Sequence, residues 1–289
     1  MLREIAVKAY AKINFGLKVF PKRDDGFHSI ESIFQTIDCF DELIVTETQQ
    51  FGCVVECDSM ELPLNNTLVN AYQAFCDITG RKDIGVSVKL IKGIPSGGGL
   101  GGGSSDAAAL IRVLEKLSGI VLTDEQLDYI ASKTGSDVFF FMHCDEEGKG
   151  CALVSGRGEI IKKIIPRHDL FLLLIFPDVH SSTKEAYSLV DKMFSLGKEV
   201  KSPDFTEYET IYSLDPKKWT FSNTFTPVIA DVYNGISNAM KVIKNAGCDY
   251  VEMSGSGSTV FGVFTLKQQA TFVNNLLTDA WNCKLVQTV

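Results

Sequence analysis

The stretch that most restricts what this chain can become runs from Lys92 to Asp106, Lys-Gly-Ile-Pro-Ser-Gly-Gly-Gly-Leu-Gly-Gly-Gly-Ser-Ser-Asp. Seven of the eleven residues at 93–103 are glycine. Glycine loses more backbone freedom on ordering than any other residue, so no helix or strand interior accommodates such a run. It is a loop. The alternating residues 85–91 ahead of it predict a strand. Behind it, Ala107, Leu110, Ile111 and Leu114 share one face at the helical period, which predicts a helix starting at Ser104 or Ser105. A strand, a glycine loop and a helix N-terminus together present unpaired N–H groups to an anion, and the missing Cβ atoms let the anion come close. A nucleotide phosphate is the anion this arrangement suits.

Several known phosphate loops are excluded or weakened by residues in view. Gly97, Gly99 and Gly102 satisfy G-x-G-x-x-G, but a glycine run matches that pattern easily and no acidic residue ends a following strand. The Walker pattern requires Gly-Lys-Ser/Thr, whereas this loop ends Gly-Gly-Ser-Ser-Asp. His-Arg-Asp and Asp-Phe-Gly, which a protein kinase carries, are missing downstream. A flexible glycine–serine linker is disfavoured because the flanks are an apolar strand and a helix.

A chain of 289 residues accommodates two ordinary domains, and the turn-rich stretch followed by Pro166 suggests that they meet at 158–168. We expect domains at 1–160 and 161–289. The net charge of -8 argues against a general nucleic-acid or membrane-surface binder, so an anionic ligand is gripped locally. The eight cysteines lie at 39, 53, 57, 76, 144, 151, 248 and 283 without a C-x-x-C pair, which fits free thiols in a cytoplasmic setting. The longest apolar run, 170–177, is too short to span a bilayer and reads as a buried strand. No membrane role is expected, and the chain is expected to be a monomer or homodimer.

Other positions stand out along the chain. Residues 5–20 hold two short apolar runs, with Lys12 and Asn14 between them. From composition alone Lys12 reads as a surface lysine whose stem lies on apolar neighbours. Phe27 and His28 follow a turn glycine and open the strand-like stretch 30–45, where a histidine at a strand edge is the ordinary reading. Asn66 precedes a helical pattern reaching 78, and Thr123 to Gln126 carry a capping box. Asp137, between a glycine turn and Val138-Phe-Phe-Phe141, reads either as a helix cap or as a carboxylate in low dielectric that requires a partner. Residues 148–158 read as a turn-rich return. Tyr187 reads first as helix packing, 198–218 as an exposed polar connection, and 254–259 as a second glycine–serine turn between strands.

Pro95-Ser-Gly-Gly-Gly-Leu-Gly-Gly-Gly-Ser-Ser105 resembles the central motif of the GHMP kinases, named for galactokinase, homoserine kinase, mevalonate kinase and phosphomevalonate kinase. Residues 254–259 resemble the third motif of that family. Ala11-Lys-Ile-Asn14, the element Lys22-Arg-Asp-Asp-Gly-Phe-His28 and Gly135-Ser-Asp-Val138 resemble the branch that phosphorylates a cytidine diphosphate conjugate of methylerythritol on the route to isoprenoid precursors without mevalonate. The resemblance implies an α+β fold of two domains with the active site in a cleft between them, and ATP with Mg2+ as cofactors. It implies that Pro95, Ser96, Gly97, Gly98, Gly99, Leu100, Gly101, Gly102, Gly103, Ser104 and Ser105 bind the nucleotide, with Asn66 beside the adenine. Lys12 and Asp137 would then be catalytic, and Asn14, Phe27, His28 and Tyr187 would bind the cytidyl substrate. The metal ligands stay open. A homoserine- or mevalonate-type kinase and a non-catalytic nucleotide-binding protein on the same fold are the alternatives. Phe27 replaces the family's tyrosine, Ser136 an alanine and Phe139 a proline, while Thr224 and Thr226 stand where acidic residues are frequent.

Overall fold

The computed structural model describes residues 2–57, 59–179 and 181–289. In chain order the elements are β1 (Glu4–Lys22), β2 (His28–Glu47), β3 (Gly52–Cys57), α1 (Thr67–Thr79), β4 (Gly85–Ile91), α2 (Gly102–Ser118), α3 (Asp124–Thr134), α4 (Ser136–Met142), β5 (Cys151–Gly156) and β6 (Ile160–Lys163). They continue as β7 (Phe171–Ile175), α5 (Thr183–Ser195), α6 (Tyr208–Ser213), α7 (Thr226–Val232), α8 (Asn234–Asn245), β8 (Tyr250–Met253), β9 (Val260–Phe264), α9 (Lys267–Leu277) and β10 (Cys283–Gln287). The class is α+β. Packing divides the chain into two compact units, neither contiguous in sequence.

The first unit comprises Met1–Ala11, Cys39–Ser96 and Gly101–Gly150. Here β3 runs parallel to β4, with Gly52 opposite Gly85, and β4 runs antiparallel to the last residues of β2, with Glu42 opposite Ile91. Helices α1 to α4 pack on one another. The centre of this group is α2, whose buried residues include Ala107, Ala108, Ala109, Leu110, Ile111, Val113 and Leu114. Apolar on nearly every side, α2 is a core helix rather than a surface one. Asn66 caps α1 through its side-chain oxygen, and Thr123 and Gln126 form the reciprocal capping box on α3.

The second unit comprises Lys12–Asp38, Gly97–Leu100 and Cys151–Val289. Its four-stranded sheet has the order β10-β7-β9-β8 and is antiparallel throughout. Leu172 to Ile175 and Val260 to Phe264 are buried, as a strand covered on both faces requires. The first residues of β2 pair with β5 and β5 pairs with β6. Phe15 sits among aromatic rings, with centroids 5.0 Å from Trp219, 5.4 Å from Tyr212 and 5.8 Å from Phe261.

Several expectations change. The two apolar runs at 5–20 form one 19-residue strand. β1 and β2 each contribute residues to both units, and residue 160 begins β6 in the second unit. The supposed turns at 148–158 contain β5, which is recruited by the register with β2. The supposed exposed connection at 198–218 contains α6, whose Tyr208 and Tyr212 are buried against the aromatic cluster. The glycine-loop helix begins at Gly102, earlier than the serines suggested, with Gly101 in the left-handed conformation at its N-cap.

Because Phe15 is fully buried at the centre of that cluster, Phe15→Ala is expected to lower unfolding free energy by about 3–5 kcal/mol in urea. The exposed Val54→Ala should change it by less than about 0.5 kcal/mol.

Candidate active site

In the first unit the approach to the glycine loop is fastened by charge. Asp41, within β2, is fully buried, and its Oδ1 accepts from the N–H groups of Gly93 at 2.7 Å and Ile94 at 2.8 Å. Lys92 donates to Asp41 Oδ2 and, at 3.3 Å, to Asp106 Oδ2. Asp106 is buried one turn into α2, and its Oδ1 has no hydrogen-bond partner. Burial first, and the neighbouring Asp41 charge second, push the Asp106 carboxyl up, with Lys92 opposing. Burial works to lower the Lys92 pKa, but Asp106 and Asp41 outweigh it and the net shift is upward. Two carboxyl groups and one ammonium thus tie β2, the strand-to-loop turn and α2 together.

The N-terminus of α2 has no side-chain cap. Its first backbone bond is from the Ser105 N–H to the Gly101 carbonyl at 2.9 Å, which leaves the N–H groups of Gly102, Gly103 and Ser104 for a ligand. A Cβ on Gly103 would lie 3.2 Å from Thr67 Oγ1, so glycine there lets α1 and α2 approach. Ser104 is half-buried and Ser105 is buried, which makes Ser104 the more accessible hydroxyl. Pro95 and Ser96 are exposed. Both polar atoms of Asn66 are engaged: Oδ1 accepts from Leu68 and Val69 N–H, and Nδ2 donates to the Pro63 carbonyl. Asp137 lies in the first turn of α4, half-buried, with Val138 to Met142 buried beyond it.

In the second unit Lys12 is only 3% exposed, which overturns the surface reading that composition favours. β1 carries it inward, and its backbone N–H donates to the Leu100 carbonyl at 2.9 Å. Its Nζ donates to Asn14 Oδ1 at 2.8 Å and to the Gly99 carbonyl at 3.1 Å, and lies 4.7 Å from the centre of the Phe34 ring. Asn14 donates in turn to Ser32 Oγ at 3.2 Å. The 254–259 turn grips the same piece of loop. Ser254 Oγ donates to the Gly99 carbonyl at 3.0 Å, and the Thr259 N–H donates to the Gly98 carbonyl at 3.2 Å. Gly99 has φ +76°, and a Cβ there would sit 2.1 Å from the Ser254 carbonyl oxygen. Only glycine fits.

Behind that turn lies Glu252, 7% exposed. Its carboxylate accepts from Thr226 Oγ1, from the Met253 N–H at 3.0 Å and from the Asn223 N–H at 3.1 Å. Burial pushes it up to about 7, with those three donors opposing. Neither it nor Asn223 was singled out in the sequence, because an acidic residue inside a strand pattern shows only that something must satisfy it.

The aromatic elements lie at the start of β2. Phe27 is 55% exposed and has the Arg157 guanidinium 5.0 Å over its ring. His28 stacks on Tyr187 with centroids 4.8 Å apart and 29° between planes. Its Nδ1 is 2.8 Å from the Phe20 carbonyl oxygen and its Nε2 is 3.4 Å from Asp191 Oδ1. Tyr187 and Asp191 are four residues apart on α5, so one helix face meets a ring face and the Nε2 edge of the imidazole. A ring inserted between two others needs centroids on the order of 7 Å apart, so His28 and Tyr187 are each other's partner in this arrangement. A base-edge hydrogen bond from the imidazole would replace its contact with Asp191.

Buried ammonium, glycine loop and uncapped helix end are the parts of a phosphate-handling protein, and comparison with known proteins agrees. The family models for the GHMP kinases N terminal domain and GHMP kinases C terminal match residues 66–145 and 213–282. The chain belongs to the GHMP kinases. Within them it falls in the group of 4-diphosphocytidyl-2-C-methyl-D-erythritol kinases: it is 36% identical to the protein of that name from Treponema pallidum, over 97% of both chains. It is 35% identical to the one from Thermodesulfovibrio yellowstonii, over 99% of this chain and 98% of the relative. A crystal structure of 4-(cytidine 5'-diphospho)-2C-methyl-D-erythritol kinase shares the fold with a TM-score of 0.76 at 23% identity, over 98% of this chain and 99% of that one.

Two measurements check this account. Asp41→Asn sets an amide against the Lys92 ammonium, and is expected to cost about 3 kcal/mol in urea unfolding. Glu252 has a folded pKa raised from 4.5 to about 7, so its contribution to stability is fully present below about 4.5 and is lost as pH rises through about 7. Relative to Glu252→Gln, the wild-type protein should lose about 3 kcal/mol across that window. A difference that stays flat with pH would return Glu252 to an ordinary carboxylate.

Proposed function

We propose that this protein transfers the γ-phosphoryl group of ATP to the 2-hydroxyl of 4-diphosphocytidyl-2-C-methyl-D-erythritol, a step of isoprenoid precursor synthesis by the non-mevalonate route. The observation that carries the reading is Lys12, a buried ammonium bonded to the carbonyl of Gly99 in the glycine loop. The full-length relatives supply the substrate by their names.

In this mechanism positioning and charge stabilisation do most of the catalysis. The N–H groups of Gly102, Gly103 and Ser104 hold the ATP phosphates, and the remaining residues of 95–105 shape the backbone around them. Asp137 accepts the proton of the substrate hydroxyl. Lys12 stabilises the charge that develops on the transferred phosphoryl group, and Asn14 orients Lys12. Phe27, His28 and Tyr187 select the cytidine end, by ring contact where the lost tyrosine hydroxyl plays no part. Asn66 acts near the adenine through the helix end it caps.

Among the described residues no group of three or more His, Cys, Asp or Glu side chains is arranged to hold a metal. Mg2+ would arrive as the counter-ion of ATP, and Ser104 or Ser105 would hold it, Ser104 being the more accessible hydroxyl. Bound there, Mg2+ would neutralise phosphate charge. All eight cysteines are free, and among the described residues no helix is long and apolar enough to cross a membrane. We place the protein in the cytoplasm on the thiols.

ATP consumption with Mg2+ and the cytidyl substrate, beside homoserine and mevalonate, tests the reading. Turnover of the cytidyl substrate alone is expected; turnover of either control in preference would move the chain to another branch. Asp137→Asn should lower kcat by about 10²–10⁴-fold with little change in ATP affinity, and near-normal turnover would remove Asp137 from the chemistry.

A further inference from the structure

The segment 222–224 touches both the strand that carries Lys12 and the turn that holds Gly99. On one side it is laid along β1: the Leu17 N–H donates to the Ser222 carbonyl at 2.8 Å, the Thr224 N–H donates to the Leu17 carbonyl at 2.8 Å, and the Val19 N–H donates to Thr224 Oγ1 at 3.0 Å. On the other side Asn223 reaches the 254–259 turn. Its Nδ2 donates to the Met253 and Gly255 carbonyls, each at 2.8 Å, while its own N–H is accepted by Glu252. Asn223 is 1% exposed and its Oδ1 accepts from the Phe225 N–H at 2.9 Å, so the amide orientation is fixed by its partners. Ser254, between the two gripped carbonyls, is fully buried and donates to the Gly99 carbonyl that also receives the Lys12 ammonium.

We propose that Asn223 and Ser254 are positioning residues for Lys12: Asn223 locks the Met253–Gly255 backbone to β1, and Ser254 transmits that lock to the Gly99 carbonyl on which the ammonium rests. The proposal rests on the reading of Lys12 as a catalytic group. Its physical content is a shared acceptor. Gly99 cannot move toward Ser254, since backbone already meets backbone there and a Cβ would lie 2.1 Å from the Ser254 carbonyl oxygen. It cannot move away without losing the serine hydrogen bond. The carbonyl is therefore held at one place, and so is the ammonium that donates to it. Without the Ser254 hydroxyl, Lys12 keeps its bond to Asn14 but loses one fixed reference point. Small displacements of a group that acts in the transition state reduce turnover more than binding.

The test is single-turnover phosphoryl transfer at saturating ATP and cytidyl substrate, with ATP KM and thermal midpoint measured alongside. Lys12→Ala is made first, then Ser254→Ala and Asn223→Ser, each alone and combined with Lys12→Ala. We expect Ser254→Ala and Asn223→Ser to lower the rate roughly tenfold while ATP KM stays within about twofold, and to produce no further loss once Lys12 is alanine. Should Asn223→Ser fail to fold, Ser254→Ala carries the test. An unchanged rate in folded Ser254→Ala overturns the proposal. An equal loss with and without Lys12 overturns it as well, because the residues would then act independently of the lysine. A Lys12→Ala protein with near-normal turnover would sink the catalytic reading of the lysine itself and the positioning role with it, and that arm is read before any other variant is made.

Discussion

A buried helix with a bare N-terminus is the constraint on which much else depends. The helix α2 is enclosed by apolar contact along most of its length, so its place is fixed by the core rather than by its ends. Yet it begins on glycines with no side-chain cap, and its first backbone bond is made only by the Ser105 N–H. A capping serine or aspartate would contribute about 1 kcal/mol. In the proposed mechanism the unused cap leaves this helix end to the ATP phosphates, on a helix held by its buried length. The partial positive charge at the end of α2 points the same way.

Around this end the chain handles buried charge in two different manners. Asp41, Asp106 and Lys92 bring a cation to two carboxyl groups, and Asp41 also receives two backbone N–H groups from the turn leading into the loop. Such a cluster is weak evidence of net stability, since desolvation consumes much of the Coulombic gain, but removing one member is costly. Its value lies in geometry, for it permits one arrangement of the Gly93–Ile94 backbone. Glu252 is instead met by three neutral donors, and the cost of that choice is visible in a carboxyl pushed up to about 7. What it secures is the Asn223 backbone, without which the turn at 254–259 would have one fewer tie.

Local signals carried much of this in advance. The strand at Gly85–Ile91, the cap at Asn66 and the capping box at Thr123 depend on residues within a few positions of one another, and each stands where periodicity and capping chemistry place it. The misread parts depend on distant partners. Tyr208 and Tyr212 sit four apart in a polar stretch, a helical signal masked by prolines and lysines, and only the Phe15 cluster makes them core. Asp41 reads as a polar interruption of an apolar strand until Lys92, 51 positions later, meets it. Asn223 is ordinary in sequence, and its two acceptors lie 30 and 32 positions away. The family resemblance supplied a reason for Lys12 that composition opposed, while the hydrogen-bond partners that make its burial tolerable were visible only once β1 and Gly99 were placed.

Those partners also explain why an asparagine stands two residues after the lysine. A buried ammonium must be hydrogen-bonded or it loses its proton or its place. A carboxylate at position 14 would satisfy it best, but would cancel much of the field that the proposed mechanism asks it to direct at a phosphoryl group. An apolar residue would leave the field intact and the ammonium poorly held. The Asn14 amide and the Gly99 carbonyl are neutral acceptors at 2.8 and 3.1 Å, and the Phe34 face at 4.7 Å adds a quadrupole rather than a charge. These contacts orient Lys12 without neutralising it, and Ser32 fixes which way the Asn14 amide faces. In the proposed reaction, whose transition state spreads negative charge over equatorial oxygens, that combination would keep the cation both located and available.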